Sequence, residues 1–425
     1  MRRGPLLAGA AVLAVSCARA PAPSGPVPIT RTPPPGLTAG STIRVGIVVD
    51  RDSAVVGATG DFRLEGADGV PVFGGEAGRP WTVRPADDGR LTLTTAAGDA
   101  RTLAAPVVLR PNDAGALVTI GGRRYRGEAV LLRGTAGVTV VNRVALEAYL
   151  RSVVALELGF RAPSDREAVK AQAVAARTYA VRYQGRREAL GFDLFPTDAD
   201  QVYSGVDSEF PEVTAAVEAT AGEILLFEGR PIQALFHSTC GWSTEAAEQV
   251  FQNRERVPYL QAVSDRSGDG PDDYFCRLSP KFRWRETWDA DQLMRVLAQT
   301  LPAVLGARAP QDIGRVTAVQ AGRTTPTGRV AELVVTTTTG TWTVPNGRVR
   351  EVLRPAAGGQ LLSSLFQLYP DVRDGQLVRL VAAGAGYGHG VGMCQFGAVG
   401  RARAGREYRE ILATYYQGTT LERAY

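Results

Sequence analysis

The hydrophobic period of this chain changes from that of strands to that of a helix near residue 146, and this change limits the folds open to it. Four short runs in the first third are rich in Val, Ile, Leu and Thr and are separated by Gly and Asp, as β-strands usually are. These runs lie at residues 43–49, 91–95, 117–120 and 138–141. From Leu146 to Val154 the apolar residues instead recur at the i, i+3, i+4, i+7 spacing of an amphipathic helix. Strands followed by helices predict an α+β fold, a β-rich mixed body with several amphipathic helices.

A second helix is predicted over residues 164–185. Ser164 and Glu167 have the spacing of a capping box, and Gly185 can end the helix. Alanine is frequent in this segment, which allows close packing against a neighbouring element. The remaining predicted elements are strands at 224–227 and 232–236, a helix at 289–301, strands within 313–344 and a helix from 408 to 416.

Composition narrows the classes of function. The chain has 425 residues, and 44% of them are hydrophobic, which is enough for a sizeable core. Its net charge is +5, and almost all of its basic residues are arginines that are scattered along the sequence. The sequence has neither a basic cluster nor a nucleic-acid-binding motif. A nucleic-acid partner is therefore not expected.

The N-terminus predicts export. Residues 1–17 combine Arg2 and Arg3 with an apolar stretch too short to cross a bilayer, and they end in Ala-Val-Ser-Cys. This ending resembles a bacterial lipoprotein cleavage site, so lipidation of Cys17 and a membrane-anchored protein facing the periplasm or cell wall are expected. Simple cleavage and secretion is the alternative. Residues 18–40 are rich in proline and are predicted to be a stiff linker.

Glu157 interrupts the apolar stripe of the first predicted helix. It falls at i+11, where the next residue should face the core, and its neighbours include Leu156, Leu158 and Phe160. Desolvation by such neighbours raises the pKa of a carboxyl group and would make it a usable general acid. The alternative is that the helix frays before Glu157 and the carboxylate meets solvent or an arginine.

The chain has four cysteines and two histidines. His237 and Cys240 could bind a metal together with Cys276, Cys394 or His389, but zinc sites usually have tighter ligand spacing. For an exported chain a disulfide between Cys240 and Cys276 is the favoured interpretation, with Cys394 left as a free thiol. No metal and no cofactor are predicted.

Residues 384–397 read GAGYGHGVGMCQFG and surround His389 with glycine. Glycine inside a strand or helix is destabilising by about 0.5–1 kcal/mol. Either the backbone passes very close to another group here, or it adopts positive φ angles at several positions. A low-complexity surface loop is the alternative.

Several motifs occur in order and resemble the SpoIID/LytB family of sporulation stage II protein D and the amidase enhancer LytB. They are ALEAYLRSVVALEL, EAVKAQAVAARTYAV, QVYSG, ALFHSTCGWSTEAAEQVF, YLQAV and GYGHGVGMCQFGA. The resemblance covers roughly residues 139–418. It implies a catalytic domain over 139–425, preceded by a β-rich lead-in over 41–138.

The resemblance implies a peptidoglycan lytic transglycosylase, which cuts the β-1,4 bond between N-acetylmuramic acid and N-acetylglucosamine and leaves a 1,6-anhydro end. The catalytic glutamate of the family's V-V-x-x-E motif falls on Glu157. The glycines of 384–397 would let the backbone approach the sugar. Other motif positions, expected to line the sugar groove, fall on Gln201, Tyr203, His237, Ser238, His389 and Gln395.

The chain departs from the family pattern at two positions that matter for chemistry. The stretch before Gln201 lacks the Cys and His zinc ligands that some members carry, and Cys394 stands where many relatives have serine. Two other functions stay open. One is a non-catalytic wall-binding protein that stimulates a cell-wall amidase. The other is a metallohydrolase that uses His237 and Cys240.

Overall fold

The protein is represented by a computed structural model that describes residues 36–251, 255–306 and 312–425. The predicted export signal (1–17), its Cys17 and the linker up to residue 35 lie outside the described residues. In the described part of the chain, no helix has both the length and the apolar character needed to cross a bilayer.

The first third of the described chain forms two antiparallel sheets of six strands each. Their orders are β1-β12-β11-β8-β3-β4 and β10-β9-β2-β5-β6-β7, where the strands are β1 (Thr42–Arg51), β2 (Ala54–Ala58), β3 (Phe62–Glu65), β4 (Pro71–Gly75), β5 (Trp81–Pro85), β6 (Arg90–Thr95), β7 (Ala100–Ala104), β8 (Val107–Pro111), β9 (Val118–Ile120), β10 (Arg123–Tyr125), β11 (Glu128–Arg133) and β12 (Val138–Ala145).

Alternation of apolar and polar residues explains these strands. In β6, for example, Leu91 and Leu93 are buried while Thr92 between them is partly exposed. The four strands predicted in this region are confirmed as β1, β6, β9 and β12. Strand β12 lies between β1 and β11. The β-rich lead-in and the region that follows residue 138 therefore share a sheet and one hydrophobic core.

Eight helices follow in the described residues. They are α1 (Leu146–Glu157), α2 (Arg166–Arg182), α3 (Pro211–Ala219), α4 (Ala247–Val250), α5 (Ala290–Leu305), α6 (Asn346–Val352), α7 (Gln395–Arg403) and α8 (Tyr408–Tyr415). Helix α2 is central, and its buried alanines let α1, α3, α7 and α8 all pack against it. Together with the sheets, these helices confirm the predicted α+β class.

Helix α2 begins later than predicted. Residues 163–165 form a short 3-10 turn, and the helix starts at Arg166 without a side-chain cap from Ser164. The side chain of Glu167 instead accepts hydrogen bonds from Lys170 Nζ and from the backbone N–H of Tyr408. The capping-box prediction was wrong because the Glu167 side chain is bonded to Lys170 and Tyr408 instead of to the start of the helix.

The later strands are β13 (Glu223–Phe227), β14 (Arg230–Pro231), β15 (Phe236–His237), β16 (Arg283–Asp289), β17 (Val316–Ala321), β18 (Glu332–Thr337), β19 (Gly340–Pro345), β20 (Phe366–Arg373), β21 (Gln376–Ala385), β22 (Met393–Cys394) and β23 (Thr420–Arg423). Strand β13 pairs with β14 and β23. The strand predicted at 232–236 does not form as such, because only its last residue pairs, in β15, with the parallel strand β22.

Residues 283–385, here called the second module, have a hydrophobic core of their own. Two three-stranded sheets, β16-β21-β20 and β17-β18-β19, enclose it together with α5 and α6. Helix α5 starts at a capping box in which Asp289 and Gln292 bond each other's backbone N–H groups. The sequence predicted α5 and the strands β17, β18 and β19 of this module. It did not predict β16, β20, β21, α6 or the separate core.

Candidate active site

Glu157 is the last residue of α1. The backbone N–H groups of Leu158 and Gly159 both donate to Val154 O, each at 3.1 Å. Gly159 has a φ of 72°, the left-handed conformation that ends many helices. The helix therefore extends to Glu157 and does not fray before it.

The Glu157 carboxyl group is partly buried and accepts two hydrogen bonds. Its Oε1 lies 2.8 Å from the backbone nitrogen of Val202, and the side-chain amide of Gln395 is the second donor. Desolvation is the largest influence and raises the pKa of Glu157 above its ordinary value; the two hydrogen bonds lower it, and the negative charge of Asp198 raises it further. The negative end of the α1 dipole acts in the same direction as burial.

Gln201 and Tyr203 hold the Val202 amide in place. The Gln201 side chain is fully buried, accepts from Tyr149 OH at 3.1 Å and donates to Ala176 O at 3.3 Å. Tyr203 is 3% exposed and donates from its hydroxyl to Asn142 Oδ1 at 2.8 Å. Both side chains point into the core, so the residue between them presents its N–H to Glu157. Their predicted contact with sugar has no support from this placement.

The two histidines lie together. The centres of the His237 and His389 rings are 5.4 Å apart. His237 Nδ1 donates to Val391 O at 3.1 Å, and the backbone N–H of Val391 donates to His389 Nδ1 at the same distance. Desolvation, aided by the charge of Arg329, lowers the pKa of His237 to about 3. Desolvation and His237 hold the pKa of His389 well below its usual value, so both rings are neutral at physiological pH.

Parallel pairing of β15 with β22 brings the predicted residues Ser238 and Gln395 into one region. The Ser238 carbonyl oxygen accepts from the backbone N–H of Phe396 at 3.0 Å. The Ser238 side chain is partly exposed, as is that of His389, whereas His237 and Gln395 are buried. The structure thus joins Glu157 to Gln395, and the pairing of β15 with β22 brings Ser238 and the two histidines near Gln395.

The glycines of 384–397 approach the chain itself. A Cβ on Gly386 would lie 2.5 Å from Thr239 O, and one on Gly392 would lie 2.1 Å from Leu235 O; both glycines have positive φ angles. The prediction that the backbone passes very close to another group is confirmed. The group is the segment 235–240 of the same protein, and approach to a sugar stays a prediction.

The predicted disulfide between Cys240 and Cys276 is not formed. Their sulfur atoms are 3.5 Å apart, whereas a disulfide bond is about 2.05 Å long. Cys394 lies beside them, and its sulfur accepts the backbone N–H groups of Cys240 and Gly397 at 3.2 and 3.3 Å. The pairing was wrong because the sequence could not show that a third sulfur shares this place.

Two contributors to the site were not predicted from the sequence. The Val202 N–H is a backbone group and carries no sequence signal of its own. Gln172 lies on the buried face of α2, where Gln395 Nε2 is 3.5 Å from Gln172 Oε1. A lone amide side chain among buried alanines was a usable signal, because a buried polar group needs a partner.

The fold and the site define a class of protein: an α+β body in which a partly desolvated glutamic acid, at the end of a core helix, faces a glycine-rich segment. Comparison with known proteins identifies the family within this class. A family model described as "Stage II sporulation protein" matches residues 135–227. A second model, described as "Domain of unknown function (DUF8618)", matches residues 273–392.

Full-length relatives support the same assignment. Stage II sporulation protein D of Bacillus subtilis is 32% identical over 299 residues, which are 67% of this chain and 76% of the relative. An uncharacterized protein of Brachyspira hyodysenteriae is 31% identical over 310 residues, 71% of this chain and 73% of its own. The amidase enhancer of Bacillus subtilis is 30% identical over 288 residues, 60% of this chain and 38% of the relative. The chain belongs to the SpoIID/LytB family.

The residues of the candidate site lie in different matched segments. Glu157 and Val202 lie within the Stage II sporulation protein match, and the second module lies within the other match together with His389. Cys394 and Gln395 follow both matches. His237 and Ser238 lie between the two matches. The site is therefore assembled from both matched segments, the stretch between them and the C-terminal part of the chain.

Proposed function

We propose that this protein is a peptidoglycan lytic transglycosylase with Glu157 as its single acid and base. The observation that carries the proposal is the setting of Glu157, a carboxyl group whose pKa is raised by desolvation and which two neutral donors hold in one orientation. The pKa shift is in the direction that a general acid needs at neutral pH.

In the proposed reaction Glu157 acts twice. The protonated carboxyl group gives its proton to the glycosidic oxygen as the bond between that oxygen and C1 of the N-acetylmuramic acid residue breaks. The 6-hydroxyl oxygen of the same sugar bonds to C1, and its proton passes to the Glu157 carboxylate. The carboxyl group is restored, no water is consumed, and the product carries a 1,6-anhydro ring.

A single carboxyl group suffices for this reaction, whereas ordinary glycosidases use two. Asp198 is the other acidic side chain that acts on Glu157, and it is exposed and raises the Glu157 pKa by repulsion. We assign it this electrostatic influence and no proton transfer. If Asp198 instead activated water, the product would be a reducing sugar.

The remaining site residues divide by burial. Ser238 and His389 are partly exposed and are proposed to contact the sugar. A neutral His389 suits hydrogen bonding to hydroxyl and acetamido groups more than anchoring of an anion. Gln201, Tyr203 and His237 are buried and are proposed to position the groups around them. Gln395 orients the Glu157 carboxyl group.

Product analysis tests the proposal. The full chain is incubated with purified glycan strands, both intact and freed of stem peptides, and the products are analysed by mass spectrometry. We expect disaccharide products lighter by one water than those of a hydrolytic muramidase run in parallel. Products of the hydrolytic mass would contradict the transglycosylase and favour two-carboxylate hydrolysis.

A second candidate follows from the similarity to the Bacillus subtilis protein named amidase enhancer. In that case this chain binds wall glycan and stimulates a cell-wall amidase without cutting the glycan. The same incubation separates the two functions when an amidase is added. Faster amidase turnover with no glycan cleavage by this chain alone would favour the enhancer.

We further propose that the protein acts outside the cytoplasm as a lipoprotein anchored through Cys17. Replacing Cys17 with Ala removes the thiol that would carry the lipid. We expect the wild-type chain in the membrane fraction and Cys17→Ala in the soluble extracytoplasmic fraction, measured by fractionation and immunoblotting. Asp207→Asn, which changes an exposed aspartate, is the control and is expected to remain with the membrane. Wild type and Cys17→Ala both in the soluble extracytoplasmic fraction would favour simple secretion.

A further inference from the structure

Four side chains outside the proposed chemistry converge at one buried point. The sulfur atoms of Cys240, Cys276 and Cys394 and a carboxylate oxygen of Asp265 all lie within 4.8 Å of one another. All four residues are fully buried. We propose that this cluster is a structural zinc site with three cysteine ligands and one aspartate ligand.

The separations suit tetrahedral zinc. Zn–S bonds of about 2.3 Å place two sulfur ligands about 3.8 Å apart. The observed 3.5 Å between Cys240 Sγ and Cys276 Sγ is close to that value and far from bonding distance. A closed site with four protein ligands and no access for water is the arrangement of structural zinc, whereas catalytic zinc keeps an open position.

The carboxylate of Asp265 is held in place by groups around it. Tyr415 OH donates to Oδ1 at 2.6 Å, and Arg401 reaches the same oxygen at 3.3 Å. The backbone N–H of Cys276 donates to Oδ2 at 3.0 Å. Oδ1 accepts two hydrogen bonds, whereas Oδ2 accepts one and keeps a lone pair for a metal. Hydrogen bonds of this kind orient the ligands of known metal sites.

The charges of the metal-bound cluster would nearly balance, since binding of zinc deprotonates the three thiols. Three thiolates and one carboxylate carry four negative charges; Zn²⁺ and the guanidinium of Arg401 offset three of them. The N–H groups of Cys240 and Gly397, which donate to Cys394 Sγ at 3.2 and 3.3 Å, offset part of the remainder. A Cys240–Cys276 disulfide would use two of the four groups and leave a thiol and a carboxylate without a shared role.

The packing of α7 is adapted to this cluster. A Cβ on Gly397 would lie 2.6 Å from Asp265 Oδ2 and 2.1 Å from Tyr415 OH. Only glycine there lets the start of α7 approach the loop that carries Asp265. The cluster therefore lies at the meeting point of α7 with the segments around residues 240, 265 and 276.

The metal would hold parts of the candidate active site without touching substrate. Cys394 precedes Gln395, the side chain that donates to Glu157. Cys240 lies three residues after β15, which pairs with β22. His237 is not a member of the cluster, so this site differs from the metallohydrolase arrangement that the sequence left open. The inference does not depend on the proposed glycan chemistry.

Metal analysis tests the proposal. The full chain is purified without reductant or chelator, and its zinc content is measured by plasma mass spectrometry. We expect about one zinc per wild-type chain, falling at least about tenfold in Cys394→Ser and in Asp265→Asn. His237→Gln and Asp207→Asn, the latter an exposed aspartate paired with Arg124, are the controls and should keep the metal.

Two further measurements keep the test decisive if a variant fails to fold. Exchange of zinc for Co²⁺ in the wild-type chain should give the intense visible absorption and sulfur charge-transfer bands of tetrahedral cobalt thiolates. Alkylation of the unfolded, chelator-treated chain should modify Cys240, Cys276 and Cys394 alike. A metal-free chain, a Cys240–Cys276 disulfide that blocks alkylation, or zinc lost only in His237→Gln would overturn the proposal.

Discussion

Glu157→Gln is expected to reduce glycan cleavage at least about a hundredfold at neutral pH. The amide has the shape of the carboxyl group and can still accept from the Val202 N–H, but it cannot give a proton to the glycosidic oxygen. The rate is measured as 1,6-anhydro product released from glycan strands. Because the proposed reaction uses one carboxyl group twice, both proton transfers are lost together.

The matched control is Glu212→Gln, which changes an exposed glutamate in the first turn of α3. It is expected to cleave glycan at the wild-type rate. Activity in Glu157→Gln within a few fold of Glu212→Gln would show that another group supplies the proton. The proposed mechanism would then fail, even if the product were the anhydro sugar.

The pH dependence of the same variant separates lost chemistry from lost structure. The pKa of Glu157 is raised in the folded protein. Between its unfolded and folded pKa values the folded state binds more protons, so this group makes the protein less stable as pH rises through that window. Glu157→Gln should therefore unfold at an equal or higher temperature than wild type at pH 7, with the difference vanishing in acid. Wild-type cleavage should fall as pH rises through the Glu157 pKa.

The local sequence pattern singled out Glu157 as a candidate general acid. A charged residue on an apolar helical stripe breaks the period that surrounds it, and the helix itself follows from neighbours within one or two turns. The contacts that hold the carboxyl group come from Val202 and Gln395, which are distant in sequence. Four of the twelve strands of the two N-terminal sheets were also predicted from local pattern, whereas largely exposed strands such as β7 were not. The order of the strands was not predictable, since β12 pairs with β1 across almost a hundred residues of chain.

The features that could not be predicted from the sequence depend on contacts between residues that are far apart in the chain. A motif marks Gln201 and Tyr203 as important without telling whether they touch substrate or support the chain, and here their side chains point inward. Cys240 and Cys276 looked like a pair because only spacing and compartment were available. The position of Cys394 depends on the parallel pairing of β15 with β22, and the contribution of Asp265 depends on a loop with no motif of its own.

The same pairing makes Gly392→Ala a costly substitution for the fold. Leu235 O accepts from the backbone N–H of Met393 at 3.0 Å and from Tyr416 OH at 2.7 Å. A Cβ on residue 392 would lie 2.1 Å from this oxygen, and the φ of 70° already disfavours alanine. The oxygen cannot move away without breaking both hydrogen bonds. We expect a loss of about 2–5 kcal/mol in the free energy of unfolding, measured by denaturant titration.

Gly229→Ala isolates the part of this cost that comes from φ alone. Gly229 has a φ of 71°, but nothing lies within 4 Å of the added carbon. Its expected cost is about 1–2 kcal/mol. Gly392→Ala should also lower glycan cleavage by roughly tenfold or more under conditions where it stays folded, because shifting Met393 displaces Gln395 from Glu157 and small misplacements of a catalytic group are costly. Equal costs for the two alanines, with cleavage intact in both, would show that the glycine-rich segment is not held against residues 235–240 in the way that orients the acid.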